Sequence, residues 1–127
     1  MAAFTAGFAV AFSPALTPTP LQSTPEVERA AEALACASIT KSVVEQFEAY
    51  AATNTPTDAD RARVAPYRTL ADRAEAEFNR LIAPMPRQTG EQVFPRADAI
   101  VVAAMDSDPA WDRLETSCSA RFQIPLG

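Results

Sequence analysis

Residues 64–82 read VAPYRTLADRAEAEFNRLI, and this stretch decides the fold class. At about 100° per residue, Val64, Tyr67, Leu70, Ala71, Ala74, Phe78, Leu81 and Ile82 make one continuous apolar stripe. Arg68, Asp72, Arg73, Glu75, Glu77 and Arg80 fall on the other faces or the flanks. A half-buried strand would alternate strictly; this spacing of three and four is that of a helix with one face in a core. Pro66 is the conflict inside it. A proline removes an amide and crowds the preceding turn, so a bend or a fresh start is expected near it, after a first turn at 57–63. Thr55 before Pro56 or Thr57 before Asp58 supplies the N-cap, and the helix is expected to run to about Ala83, where Pro84-Met85-Pro86 ends it.

The same pattern extends in both directions. Upstream, Thr24, Pro25, Glu26 and Glu28 form a helix start: a capping hydroxyl, a proline at the first position, and carboxylates facing the free amides. That helix is expected to run to about Ala52, with Cys36, Ile39, Thr40, Val43, Phe47 and Tyr50 on one face. Val27, Ala30, Ala31 and Leu34 lie on the opposite side, as a wider contact with a neighbouring helix or the leader, or as a partner surface. Downstream, a third helix is expected from Thr89-Gly90-Glu91, with Val93, Phe94, Ala97, Ile100, Val101, Ala104 and Met105 as its apolar positions. A fourth begins with Asp108 as N-cap and Pro109 as first residue, and repeats Trp111, Leu114, Cys118 and Phe122. Sustained strand alternation occurs nowhere. The expected fold is all-α, a small antiparallel bundle of about four helices over residues 25–127, with Ile39, Val43, Leu70, Ala74, Phe78, Leu81, Ile100, Val101, Leu114 and Phe122 in its core.

Up-down-up-down order connects the two cysteines, because it sets the first and last helices antiparallel. Cys36 and Cys118 both face inward and are expected to form a disulfide enclosing almost the whole domain. The competing reading is two free cysteines used as small apolar core residues. Residues 1–24 bear on the choice. They carry no charged side chain, and Ala2 to Phe12 has the length of a signal-peptide apolar region, followed by a Pro/Thr-rich linker. This leader is too short, and broken too early by Pro14, for a membrane span. It lacks a basic start, so an apolar tail that is not a signal is the alternative. Read together, leader and cysteines point to a periplasmic or secreted protein, since disulfides persist in oxidising compartments; the alternative is cytoplasmic.

Composition excludes several chemistries. The chain has no histidine, so neither a Ser-His-Asp nor a Cys-His pair is available, nor a histidine-ligated zinc. Two cysteines 82 positions apart are not a Cys-x-x-Cys redox motif. Asp106, Asp108 and Asp112 lack the glycine and closing glutamate of a calcium loop, and Glu28 with Glu32, or Glu45 with Glu48, read as solvated helix faces. No catalytic residue, metal or cofactor is expected. A net charge of −5 argues against nucleic acid as a partner, because phosphate binding needs clustered Lys and Arg. What remains is a small exported acidic non-catalytic protein binding a protein, peptide or envelope component. The alternatives are a bundle that holds a small ligand among Phe47, Tyr50, Tyr67 and Trp111, or a cytosolic adaptor resembling a secretion chaperone in its role.

Overall fold

The computed structural model describes residues 23–127, so the expected leader lies outside the described residues except for Ser23 and Thr24. Four helices follow in order: α1 Pro25–Thr53, α2 Asp58–Ile82, α3 Arg87–Ala104 and α4 Asp108–Phe122. The fold is all-helical, with no strand among the described residues.

The helix ends show why the chain breaks where it does. Thr24 accepts a hydrogen bond from the Val27 amide at 3.2 Å, and Pro25 opens α1. Of the two expected caps for α2, Thr57 is the one used. Its hydroxyl accepts from the Asp60 amide and its own amide donates to Asp60 Oδ2, both at 3.0 Å, a reciprocal capping box. α2 then runs unbroken through Pro66. The carbonyl deprived of an amide belongs to the exposed Ala62, where water can satisfy it, so no restart is needed. Two other starts differ from expectation. α3 begins at Arg87, right after Pro86, and takes Gly90 into its first turns; α4 is capped by Ser107, whose hydroxyl accepts from the Ala110 amide at 3.2 Å, with Asp108 inside the helix.

α1 is the hub. It packs most extensively on α2, then on α3, and it also meets α4. Accordingly its first half is buried on several sides, with Glu26, Arg29, Glu32 and Ser38 left exposed. Val27, Ala30, Ala31 and Ala33 meet Phe78, Val93 and Ala97, while Cys36, Ala37 and Ile39 meet Leu70, Ala74, Cys118 and Ile124. Alanine at these positions lets three helices approach one axis closely. The second apolar cluster expected on α1 makes contact with neighbouring helices, the first of its two expected readings, while two positions on the other expected face differ. The N-terminal cluster Val27, Ala30, Ala31 and Leu34 is core contact with α2 and α3, Val44 is buried where Val43 is half-buried, and Tyr50 is 47% exposed.

Length explains the loss of burial along α1. At 1.5 Å per residue, α1 is about 43 Å long and α4 about 22 Å. From Glu45 to Arg63 no residue is buried, because there α1 and α2 continue as a hairpin beyond the packed part. Among the other expected core positions, Ile39, Leu70, Ala74 and Phe78 are buried, while Leu81, Ile100, Val101, Leu114 and Phe122 are half-buried and packed against the core. Phe94 and Met105 are 49% and 69% exposed, since they lie about 100° from the Val93, Ala97, Ala104 line that faces α1. Phe94 instead sets its ring edge-on to Phe78, 5.8 Å between centroids.

Cys36 and Cys118 form a disulfide between α1 and α4, with Cα atoms 5.6 Å apart. Both residues are buried. Arginines fasten α3 and α4 to α1 at the surface. Arg96 on α3 reaches Glu28 at 2.7 Å, and Arg121 on α4 reaches Glu32 at 2.8 Å and donates to the Arg29 carbonyl. On the α2 side, Lys41 meets Glu75 at 3.1 Å and Arg68 meets Glu48 at 3.4 Å. Such partly exposed pairs contribute roughly 0.2–1 kcal/mol each, so they set alignment more than they supply stability.

Candidate functional site

Where the α1–α2 hairpin outruns the core, a cleft of about 600 Å³ opens between the two helices and the segment that follows α4. Its walls are Val43, Phe47 and Tyr50 from α1, Val64 and Tyr67 from α2, and Leu126. Gln46, Asp60 and Arg63 add polar groups at the cleft. Volume and lining fall within the range of ligand sites, which are concave, mostly apolar and supplied with few polar side chains.

Sequence spacing placed four aromatic side chains as candidate pocket residues, and the structure separates them. Phe47, Tyr50 and Tyr67 share the cleft. Trp111 is not part of its lining; it packs against the cluster around Cys36 and Leu70. A carboxylate nonetheless links the two sets. Glu115 Oε2 accepts from the Tyr67 hydroxyl at 3.1 Å and from Trp111 Nε1 at 3.0 Å. Burial, followed by the adjacent Glu115 charge, pushes the Tyr67 phenol up to about 12. At neutral pH Tyr67 is therefore a protonated donor already committed to Glu115.

The remaining polar groups are also engaged. Asp60 Oδ2 holds the Thr57 amide, and hydrogen bonds from the Thr57 backbone and side chain, with Arg63 and Arg61 adding to them, keep its carboxyl below the usual range. Arg63 lies 3.6 Å from Asp60 with three quarters of its side chain exposed. Arg68 covers the Phe47 ring from outside, its guanidinium carbon 5.8 Å from the centroid. The cleft thus presents aromatic and aliphatic surface beside one guanidinium and one amide.

The segment after α4 completes the site. Gln123 adopts a left-handed conformation, φ 56° and ψ 42°, and turns the chain back. The Ile124 amide donates to the Ser119 carbonyl at 3.1 Å, while the Ser119 hydroxyl donates to the Ile124 carbonyl at 2.7 Å. With Ile124 pinned in the core, Leu126 reaches the edge of the cleft. Pro125, Leu126 and Gly127 also line a second recess of about 380 Å³ with Asp112 and Ser119, so the segment lies between two concavities.

Glu115 and Leu126 are site residues that periodicity does not single out. Glu115 had a local signal, four positions after Trp111, the spacing of helical neighbours. Leu126 had none, because it lies past the last helix. The acidic pairs Glu28 with Glu32 and Glu45 with Glu48 lie outside the cleft lining. Among the described residues no three His, Cys, Asp or Glu side chains come close enough to hold a metal ion, and no helix is long and apolar enough to cross a membrane. Comparison of the chain with family models, with curated proteins and with solved structures finds no match in any of the three.

Proposed function

We propose that this chain is a small exported, non-catalytic helical protein that binds a protein, peptide or envelope component, acting in the periplasm or outside the cell. The buried Cys36–Cys118 pair carries the reading. A disulfide within a core persists where the surroundings are oxidising, which agrees with the uncharged apolar leader. Binding without catalysis is supported by the cleft. Tyr67 and Asp60, the titratable groups in its wall with displaced pKa values, are shifted toward the protonation states they already hold at neutral pH, so neither is poised to exchange a proton.

A second reading is a small-ligand bundle, favoured by the meeting of Phe47, Tyr50 and Tyr67 in one cleft. The test of the first reading is protein taken from its native compartment, sequenced from its N-terminus and treated with a thiol reagent after denaturation without reductant. Export predicts a start downstream of the leader and no reactive thiol. Two reactive thiols on a chain that still begins at Met1 would overturn it.

A further inference from the structure

Among the described residues, three of the four large apolar side chains left exposed lie on α3: Phe94, Val102 and Met105. Val102, 66% exposed, shares a strip with the exposed Pro95 and Ala99, at helical spacings of four and three, on the side of α3 opposite Val93, Ala97 and Ala104. The chain itself comes to this strip. Ser23 is half-buried, although Thr24, Pro25 and Glu26 after it are exposed, so burial rises on going upstream from α1. The cause is α3: Ser23 lines a recess of about 190 Å³ with Gln92, Pro95, Arg96 and Ala99. Leu21 stands two residues before Ser23, which keeps its Cα within about 7 Å of this recess wall.

We propose that residues 16–22 of this chain dock on the outer face of α3, with Leu21 in the recess at Pro95 and Ala99 and Pro18 over Val102. The stretch reads LTPTPLQ. Pro18 and Pro20 fix their own φ and hold Thr17 and Thr19 away from helix, which favours a polyproline conformation with three residues per turn. In that form Leu21 and Pro18 share one side, about 9 Å apart. On α3 the rise from Pro95 to Val102 is about 10 Å, so the two spacings match. Chemistry agrees with geometry. A helix face offers no free backbone acceptors, and the two prolines carry no amide that needs one. The carbonyls of the stretch do need donors, and Gln92 and Arg96 stand at the recess; Arg96 has N–H groups beyond the one it gives Glu28. A signal-peptidase cut after Ala11 or Ala15, where small residues stand at the required spacing, leaves this stretch on the chain. The docking therefore stands apart from the export reading.

A thermal double-mutant cycle and methyl NMR on the full oxidised chain test this. Val102→Ser on an open helix surface would leave the melting temperature unchanged, since the two residues have similar helix propensities. Beneath a docked segment, Val102→Ser and Leu21→Ser should each lower it by about 4 °C, and the double variant should fall no further than the larger single one. Leu21 lies before the first helix and Val102 on an exposed face, so neither substitution threatens the described fold. The Leu21 methyls should show nuclear Overhauser contacts to Ala99 and Val102. Additive losses, or no loss from either variant, would overturn the docking. Leu21 contacts to Val43 and Tyr50 instead would place the stretch in the α1–α2 cleft and overturn the α3 assignment. Contacts seen only between differently labelled chains in a mixed sample would make the strip an interface between two copies, and would overturn docking within one chain.

Discussion

At the scale of single residues, Tyr67 shows how a position legible as apolar gains a polar role through its neighbours. Its place on the α2 stripe follows from spacing alone, but its hydroxyl's partner comes from α4, which no local pattern in α2 announces. The consequence is a dependence on alkaline pH. The folded phenol titrates at about 12 against an ordinary value of 10.0, so the unfolded chain releases its proton first. Stability from the neutral phenol is complete below about pH 10 and drains away as pH rises toward 12. Urea unfolding at pH 9, 10, 11 and 12 should show a steeper loss for the native chain than for Tyr67→Phe. Parallel losses would mean that Tyr67 titrates like a free phenol. Gln123 is another residue whose state came from tertiary demand, since nothing marks a glutamine for the left-handed region.

At the scale of elements, legibility tracked how many faces of a helix are covered. α2 buries one stripe, Val64, Leu70, Ala71, Ala74 and Phe78, and its phase is readable from sequence. α1 is buried on several sides over its first half, so its core contacts divide between two apolar clusters; the spacing that puts Val43 and Tyr50 inward runs on past the end of the core. The two shifted helix starts have a simpler cause. Ser107 and Asp108 are both good caps, and only the backbone chooses between them, while Pro86 fixes its own φ and lets α3 begin before the glycine. Gly90 is consequently an early interior residue of a helix, where its freedom in the unfolded state is a cost. A Cβ built there would lie 3.5 Å from Ile82 Cγ1, an ordinary contact. Gly90→Ala should raise stability by roughly 0.5–1 kcal/mol, measured by denaturant unfolding. A loss of stability would show that α3 approaches Ile82 more tightly than this.

At the scale of the whole molecule, the crosslink and the hub divide the work. Helix order and the inward phases of Cys36 and Cys118 made their meeting legible, whereas the cleft was legible only in part. Phe47, Tyr50 and Tyr67 are prominent in the sequence, but the wall built from Leu126 depends on where the chain goes after α4. The disulfide encloses a loop with its ends 82 positions apart, for which chain entropy gives roughly 4–5 kcal/mol. That is a large share of a small domain's total, typically about 5–15 kcal/mol. Reduction under denaturing conditions followed by refolding with the thiols blocked should lower the melting temperature by well over 10 °C. A shift of only a few degrees would mean that α4 is held by packing and by Arg121 instead.

The spacing of the two cysteines also has a meaning in time. Cys36 leaves the ribosome 82 residues ahead of Cys118, so every growing chain passes through an interval in which it holds one thiol and no partner. Cys36 and Cys118 are the two cysteines of this sequence, so within it each has one possible partner. Until Cys118 emerges, the partner open to an exposed Cys36 thiol is the Cys36 of another chain, before the hub helix has been enclosed.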